Sequence, residues 1–153
     1  VGTGLLPYGE YRSPSPDMPT LARNSIGRHV SRYVRTLTLS VRSPWVSALS
    51  QGDLHSVPVS HGEGRYFSTK ENIEALVKGG QIVFQYCDAH GVPTMEFPQN
   101  PNGSMAAIEG ICSPDGRVLG KMGHSERTGR GVAMNVPGRK EQGLFRSGVE
   151  YFL

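Results

Sequence analysis

Two short apolar runs, Ile108–Cys112 and Val118–Met122, flank Ser113-Pro114-Asp115-Gly116. Asp-Gly between apolar runs is a strong hairpin signal, because that pair tolerates the positive φ a tight reversal needs. The hairpin fixes two neighbouring strands, and the residues that leave it are the most chemical in the chain. Directly after the second run come Gly123-His124-Ser125-Glu126-Arg127. A His and a Glu two residues apart are thereby placed where a strand leaves a sheet, and open α/β sheets carry their chemistry at strand carboxyl ends. A His oriented by a carboxylate is two-thirds of a nucleophile–base–orienter triad. No convincing activated nucleophile accompanies the pair.

The remaining pattern mixes strands and helices. Gly4-Leu5-Leu6-Pro7-Tyr8-Gly9 reads as a helix end running into a turn, and Pro14, Pro16 and Pro19 mark an irregular surface loop. Tyr33 to Val41 alternates, with Leu37, Leu39 and Val41 on one face and Thr36, Thr38 and Ser40 on the other. Ser43-Pro44-Trp45 opens a short helical turn, and Val57-Pro58-Val59 is a short strand running into Ser60-His61-Gly62-Glu63-Gly64. Ser68 and Glu71 form a capping-box pair before a helix with Ile73, Leu76 and Val77 on one face, stopped by Gly79-Gly80. Gln81 to Tyr86 is a buried-type strand. Leu144, Phe145, Gly148, Val149 and Phe152 mark a terminal amphipathic helix. The mixture favours an α/β fold.

With 153 residues the chain is one domain at most, long enough to bury a core. Hydrophobic content of 37% against 19% charged excludes a disordered polyelectrolyte. No apolar run reaches membrane-spanning length and Val1 does not open a signal peptide, so no membrane partner is expected. Two cysteines are too few for a disulfide framework, and reduced thiols suit a cytoplasmic setting. Arg23, Arg28, Arg32, Arg35 and Arg42 crowd one stretch. Without a nucleic-acid motif beside them they read as solvated or partner-facing surface, not as a polyanion site.

Several blocks, taken in order, resemble one family. They are Gly4-Leu5-Leu6-Pro7-Tyr8-Gly9, Leu21-Ala22-Arg23-Asn24-Ser25, Ser43-Pro44-Trp45, Val59-Ser60-His61-Gly62-Glu63-Gly64-Arg65, Asn100-Pro101-Asn102-Gly103-Ser104, Ile108-Glu109-Gly110-Ile111 and Gly123-His124-Ser125-Glu126-Arg127. All resemble the glutaminase domain of phosphoribosylformylglycinamidine synthase, the large enzyme of purine synthesis. Gly148-Val149-Glu150-Tyr151-Phe152 resembles the end of its long single-chain form. Many relatives spell the catalytic pair His-Pro-Glu. Ser125 stands here in place of that proline and leaves both functional side chains in position.

The resemblance implies a flavodoxin-like class I glutamine amidotransferase sheet flanked by helices. Residues 1–153 would be the C-terminal portion of that domain, beyond its nucleophile elbow. In the family a Cys thiolate attacks the side-chain amide of glutamine and forms a glutamyl thioester. By resemblance His124 is the proton shuttle and Glu126 its orienter. The nucleophile Cys is expected upstream of Val1, in a Gly-x-Cys-x-Gly elbow. Cys87 has no flanking glycine, and Cys112 runs into a hairpin turn, so both read as packing cysteines. Ser60, His61 and Gly62 are candidates for contacts to the glutamine α-carboxylate and amine, beside a plain structural-loop reading. A zinc site at His61 and Glu63 lacks a third ligand, and no metal is expected. Asn100 to Ser104 is either an interface with the synthetase half or a turn. No cofactor is expected in this chain. ATP and Mg²⁺ belong to the parent's synthetase domain, which uses the ammonia to convert formylglycinamide ribonucleotide to formylglycinamidine ribonucleotide. The implied partners are L-glutamine and the parent's remaining domains, with no nucleic acid. A free-standing glutaminase subunit and a non-catalytic binding or regulatory module that kept the fold are the alternatives.

Overall fold

The computed structural model describes residues 1–153. Its main strands are β2 (Val30–Thr38), β3 (Leu54–His61), β5 (Ile82–Tyr86), β6 (Ile108–Cys112) and β7 (Leu119–Lys121). They form one sheet in the order β3-β2-β5-β6-β7. β1 (Thr20–Ala22) and β4 (Arg65–Phe67) pair in a separate two-stranded ribbon. The helices are α1 (Leu5–Tyr8), α2 (Lys70–Lys78) and α3 (Leu144–Phe152). The class is the mixed α/β one that the sequence implies. Every pairing in the five-stranded sheet is antiparallel, so a hairpin, not a parallel strand end, delivers His124.

That hairpin follows the Asp-Gly signal. Gly110, Ile111 and Cys112 pair with Lys121, Gly120 and Leu119. At the reversal Gly116 has φ +77°, and a Cβ there would stand 2.9 Å from the Arg42 carbonyl oxygen. The loop docks on the short helical turn Pro44–Val46. Ser43 Oγ donates to the Gly116 carbonyl and Trp45 Nε1 to the Arg117 carbonyl, each at 2.7 Å.

β3 is longer than its Val-Pro-Val centre suggests. Pro58 has no N–H to give a neighbouring strand, which confines it to an edge, and β3 is the edge. The outer side of β3 is covered by later chain. Ser56 N–H donates to the Arg139 carbonyl, Ser56 Oγ to the Pro137 carbonyl, and His124 N–H to the Pro58 carbonyl. The sheet curls far enough for the residues after β7 to reach β3.

Three apolar clusters make the core. One gathers Leu6, Tyr66, Leu76, Ile82, Ile108 and Ile111; a second gathers Val30, Val34, Val57, Val59, Tyr86 and Ala107. The third joins Val46, Leu49, Val83, Phe84, Cys112 and Leu144.

Three local expectations shift. In β2 the inward face carries Thr36 and Thr38, which continue Val30 and Val34, while Leu37 is half-buried and Val41 is exposed beyond the strand end. The α2 cap is Thr69, whose side chain accepts the Asn72 N–H at 3.2 Å; Ser68 is buried one residue earlier and its N–H points to Met105 Sδ. In α3 the buried positions are Leu144, Ser147 and Gly148, while Phe145, Val149 and Phe152 stay exposed. A Cβ on Gly148 would meet the Trp45 ring at 2.3 Å, so the helix leans its smallest face on that indole. The arginines are spread among local partners: Arg35 donates to the Ala89 carbonyl, Arg42 to those of Gly79 and Pro114, and Arg23 pairs with Glu63 at 3.8 Å.

Candidate active site

β7 ends at Lys121, and the turn that follows brings His124 and Glu126 together. His124 Nδ1 and Glu126 Oε1 are 2.7 Å apart. The turn closes with the Arg127 N–H on the His124 carbonyl at 3.2 Å, which carries the i and i+2 side chains to the same side. The His124 side chain is 30% exposed and that of Glu126 53%, so the pair is reachable from solvent. Partial desolvation pushes the Glu126 pKa up. The main-chain contact at Glu126, His124 and Arg127 outweigh it and hold the carboxyl below its ordinary value. An ionised carboxylate on Nδ1 favours the tautomer with Nε2 free as an acceptor, and stabilises the imidazolium once Nε2 takes a proton. The pair lines a cleft of about 450 Å³ together with Trp45, Leu119, Gly123 and Phe145.

Sequence reasoning missed what lies underneath. Glu109 in β6 and Lys121 in β7 are an almost fully buried pair, 3.3 Å apart. Glu109 Oε1 accepts the Gly123 N–H at 2.5 Å. Lys121 Nζ donates to the Gly123 carbonyl at 2.9 Å and to Ser125 Oγ at 3.1 Å. Ser125 Oγ in turn donates to the buried Gln142 Oε1 at 2.6 Å. A Cβ on Gly123 would lie 2.6 Å from Val57 Cγ2 and 2.8 Å from both Glu109 Oε1 and Lys121 Nζ, so only glycine fits. The available signal was an acid and a lysine inside two apolar strand runs that the hairpin lays side by side, with Lys121 opposite Gly110, the residue next to Glu109.

Ser60 and His61 end β3 and Gly62 follows it, two to four residues beyond the Pro58 carbonyl that holds His124. They do not line the His124 cleft. Asn24 organises them: its Nδ2 donates to the His61 carbonyl at 2.8 Å, its N–H to the Gly62 carbonyl at 2.9 Å, and its Oδ1 lies 3.2 Å from His61 Nδ1. Burial lowers the His61 pKa, electrostatic repulsion from the His29 and His124 side chains adds to the effect, and a main-chain contact and Glu109 oppose it. His61 Nε2 is buried without a hydrogen-bond partner. Ser60 Oγ is 3.2 Å from His29 Nε2. Gly62 has open space where a Cβ would be.

The Asn100–Ser104 side chains point inward. Asn102 Nδ2 donates to the Gly64 carbonyl at 2.6 Å and to Tyr86 Oη at 3.0 Å, and Ser104 Oγ accepts the Tyr66 N–H at 3.0 Å. The segment is a buried latch on the 61–66 chain reversal. Cys87 and Cys112 are buried free thiols, and neither lines the His124 cleft. Burial raises the Cys87 pKa to about 11 and raises that of Cys112 as well, the opposite of an activated thiolate. No three His, Cys, Asp or Glu side chains converge as a metal-binding set, and no helix is long and apolar enough to cross a membrane.

The family model of the CobB/CobQ-like glutamine amidotransferase domain matches residues 1–152. Phosphoribosylformylglycinamidine synthase subunit PurQ of Thermomicrobium roseum is 45% identical over 107 residues, covering 70% of this chain and 44% of the relative. The PurQ subunit of Chlorobaculum tepidum is 40% identical over 127 residues, 83% of this chain and 52% of the relative. Among solved structures, that of PurLQS from Thermotoga maritima superposes with a TM-score of 0.64 at 25% identity, covering 89% of this chain and 54% of that one. The chain spans about half the length of the curated relatives it matches.

Proposed function

This chain belongs to the CobB/CobQ-like glutamine amidotransferase family, and we propose that it supplies the proton-shuttling side of a glutaminase site. The observation that carries the reading is the 2.7 Å contact between His124 Nδ1 and Glu126 Oε1 in an open cleft. A cysteine sulfur attacks the side-chain amide carbon of L-glutamine, and His124 Nε2 takes the thiol proton. Collapse of the tetrahedral species breaks the C–N bond, His124 returns the proton to the leaving nitrogen, and ammonia departs. Water then attacks the thioester with His124 as base, giving glutamate and the free thiol. Glu126 stabilises the imidazolium in both halves.

Cys87 and Cys112 do not fit the nucleophile, being buried, raised in pKa and away from the cleft. The reading therefore assigns it to a residue outside these 153, and this chain alone does not turn over glutamine. Ser60, His61 and Gly62 are assigned to the glutamine α-carboxylate and amine. Support comes from the main chain fixed by Asn24 and from the open face of Gly62. The released ammonia serves a phosphoribosylformylglycinamidine synthase in the cytoplasm, the activity for which the PurQ relatives are named. ATP and Mg²⁺ are used by the remaining parts of that enzyme.

The test is His124→Ala in the complete synthase, assayed with each nitrogen source. Glutamine-dependent synthesis should fall by about 100-fold or more, the range of general acid–base catalysis, while added ammonium salts still support synthesis. Equal loss with both sources reassigns His124 to folding or docking. Glutamate production by the 153-residue chain alone, abolished by Cys87→Ala or Cys112→Ala, would make that cysteine the nucleophile.

A further inference from the structure

We propose that Lys121 is a positioning residue for His124, with Glu109 and Ser125 completing the clamp. The geometry stands alone; only its catalytic consequence rests on the glutaminase reading. The peptide joining Gly123 to His124 is held at both ends, its oxygen by Lys121 Nζ at 2.9 Å and its N–H by the Pro58 carbonyl at 2.8 Å. The preceding peptide is held through the Gly123 N–H by Glu109 Oε1. On the far side of His124, Ser125 Oγ is gripped by Lys121 and Gln142. The main chain is thus fixed immediately before the imidazole, the Ser125 side chain immediately after it, and Glu126 fixes the ring itself. No other side chain donates to the Gly123 carbonyl.

The ammonium suits this task. Its three N–H groups have three acceptors: the Gly123 carbonyl, Ser125 Oγ and Glu109 Oε1. The Lys121 side chain is 9% exposed and that of Glu109 0%, so water offers little competition. Removing one member of such a pair strands the other's charge and destabilises the fold for reasons unrelated to His124. Removing both charges at once avoids that cost. Glu109→Gln keeps an oxygen for the Gly123 N–H, whereas Lys121→Met loses both arms of the clamp. The double variant therefore separates a structural role from a positioning one.

The experiment compares Glu109→Gln/Lys121→Met and Ser125→Ala with the unaltered protein. Ser125→Ala cuts one arm of the clamp at a half-buried position and leaves the ion pair intact, so it reports even where the double variant does not fold. The first readout is the ¹⁵N spectrum of the His124 imidazole in the 153-residue chain. The unaltered chain should show one dominant tautomer, protonated on Nδ1, and the variants a mixture with exchange broadening. The second readout is glutamine hydrolysis by the complete synthase. kcat should fall by about 10-fold in the double variant and by about 3-fold in Ser125→Ala, with KM within about 2-fold, as expected when a reacting group is misplaced rather than removed. Unchanged tautomers and kcat in a folded variant would overturn the clamp. If His124→Ala leaves glutaminase activity intact, the functional reading fails, while the imidazole spectra still decide whether Lys121 positions the ring.

Discussion

The His124 main-chain N–H donates to the Pro58 carbonyl at 2.8 Å, fastening the turn after β7 to the strand at the opposite end of the sheet order. The candidate base is therefore held between β3 and β7, and its place depends on the curl of the sheet as well as on the hairpin. Perturbations of either should reach it.

Glu126→Gln keeps the shape of the orienter and removes its charge. In the complete synthase it should lower glutamine-dependent kcat by about 10- to 100-fold, less than His124→Ala, because an orienter usually costs less than the base. Since Glu126 is held below its usual value of 4.5, it stays ionised down to that pH. The Glu126 carboxylate should thus contribute no acid limb to the activity above pH 5. An acid limb that disappears in Glu126→Gln would assign it to the carboxylate instead.

Two glycines should behave oppositely. Gly123→Ala drives a methyl against Val57, Glu109 and Lys121 and should cost about 2 kcal/mol or more by denaturant unfolding. Gly62→Ala meets nothing within 4 Å and should leave stability within about 0.5 kcal/mol. In the complete synthase the same Gly62→Ala should raise KM for glutamine several-fold. An unchanged KM would remove Gly62 from the glutamine contacts.

His55 is 1% exposed, and neither ring nitrogen has a hydrogen-bond partner. Burial first, then the positive charge of Arg139, with Lys121 adding and Asp53 opposing, lower its pKa from 6.5 to about 4. The unfolded chain binds the proton first as pH falls, so stability is fully present above about pH 6.5 and drains away toward pH 4. The loss should be on the order of 3 kcal/mol. Thermal melts of the unaltered chain and His55→Leu across that window check it. The variant should lose most of the slope; an identical slope would place the pH sensitivity elsewhere.

The raised cysteine pKa values predict slow labelling. A shift from 9.0 to about 11 cuts the thiolate fraction of Cys87 at pH 8 by about 100-fold, before burial restricts access. A disulfide reagent should therefore react with Cys87 only on unfolding. Rapid labelling of Cys87 in the folded chain would show an opening that the structure does not contain.

The hairpin, the His-x-Glu pair and the order of elements were legible because their signals are local: an Asp-Gly turn, an alternating run, two residues at a fixed offset. Burial was harder to read where a sheet is covered on both sides. Alternation in β2 separates leucines from threonines, yet Thr36 and Thr38 face inward because Val30 and Val34 on the same face pack with Val57, Val59 and Tyr86. Glu109, between Ile108 and Gly110, looks like an ordinary outward strand position. Its partner, twelve residues on, sits on the neighbouring strand opposite Gly110 and is not given by any offset within one strand. Asn24 and Asn102, which shape the Ser60–Gly64 bend, act across 37 and 38 residues of chain and leave no local pattern.

The cover over β3 has a further consequence. An exposed border strand is a template on which foreign chains can add. Here Ser56 is occupied by residues 137 and 139, Pro58 offers no donor, and its oxygen is spent on His124. The segment that carries the candidate base therefore also covers the edge on which fibril-like growth could start. Damage to this turn would register twice, as lost chemistry and as a lower concentration threshold for aggregation.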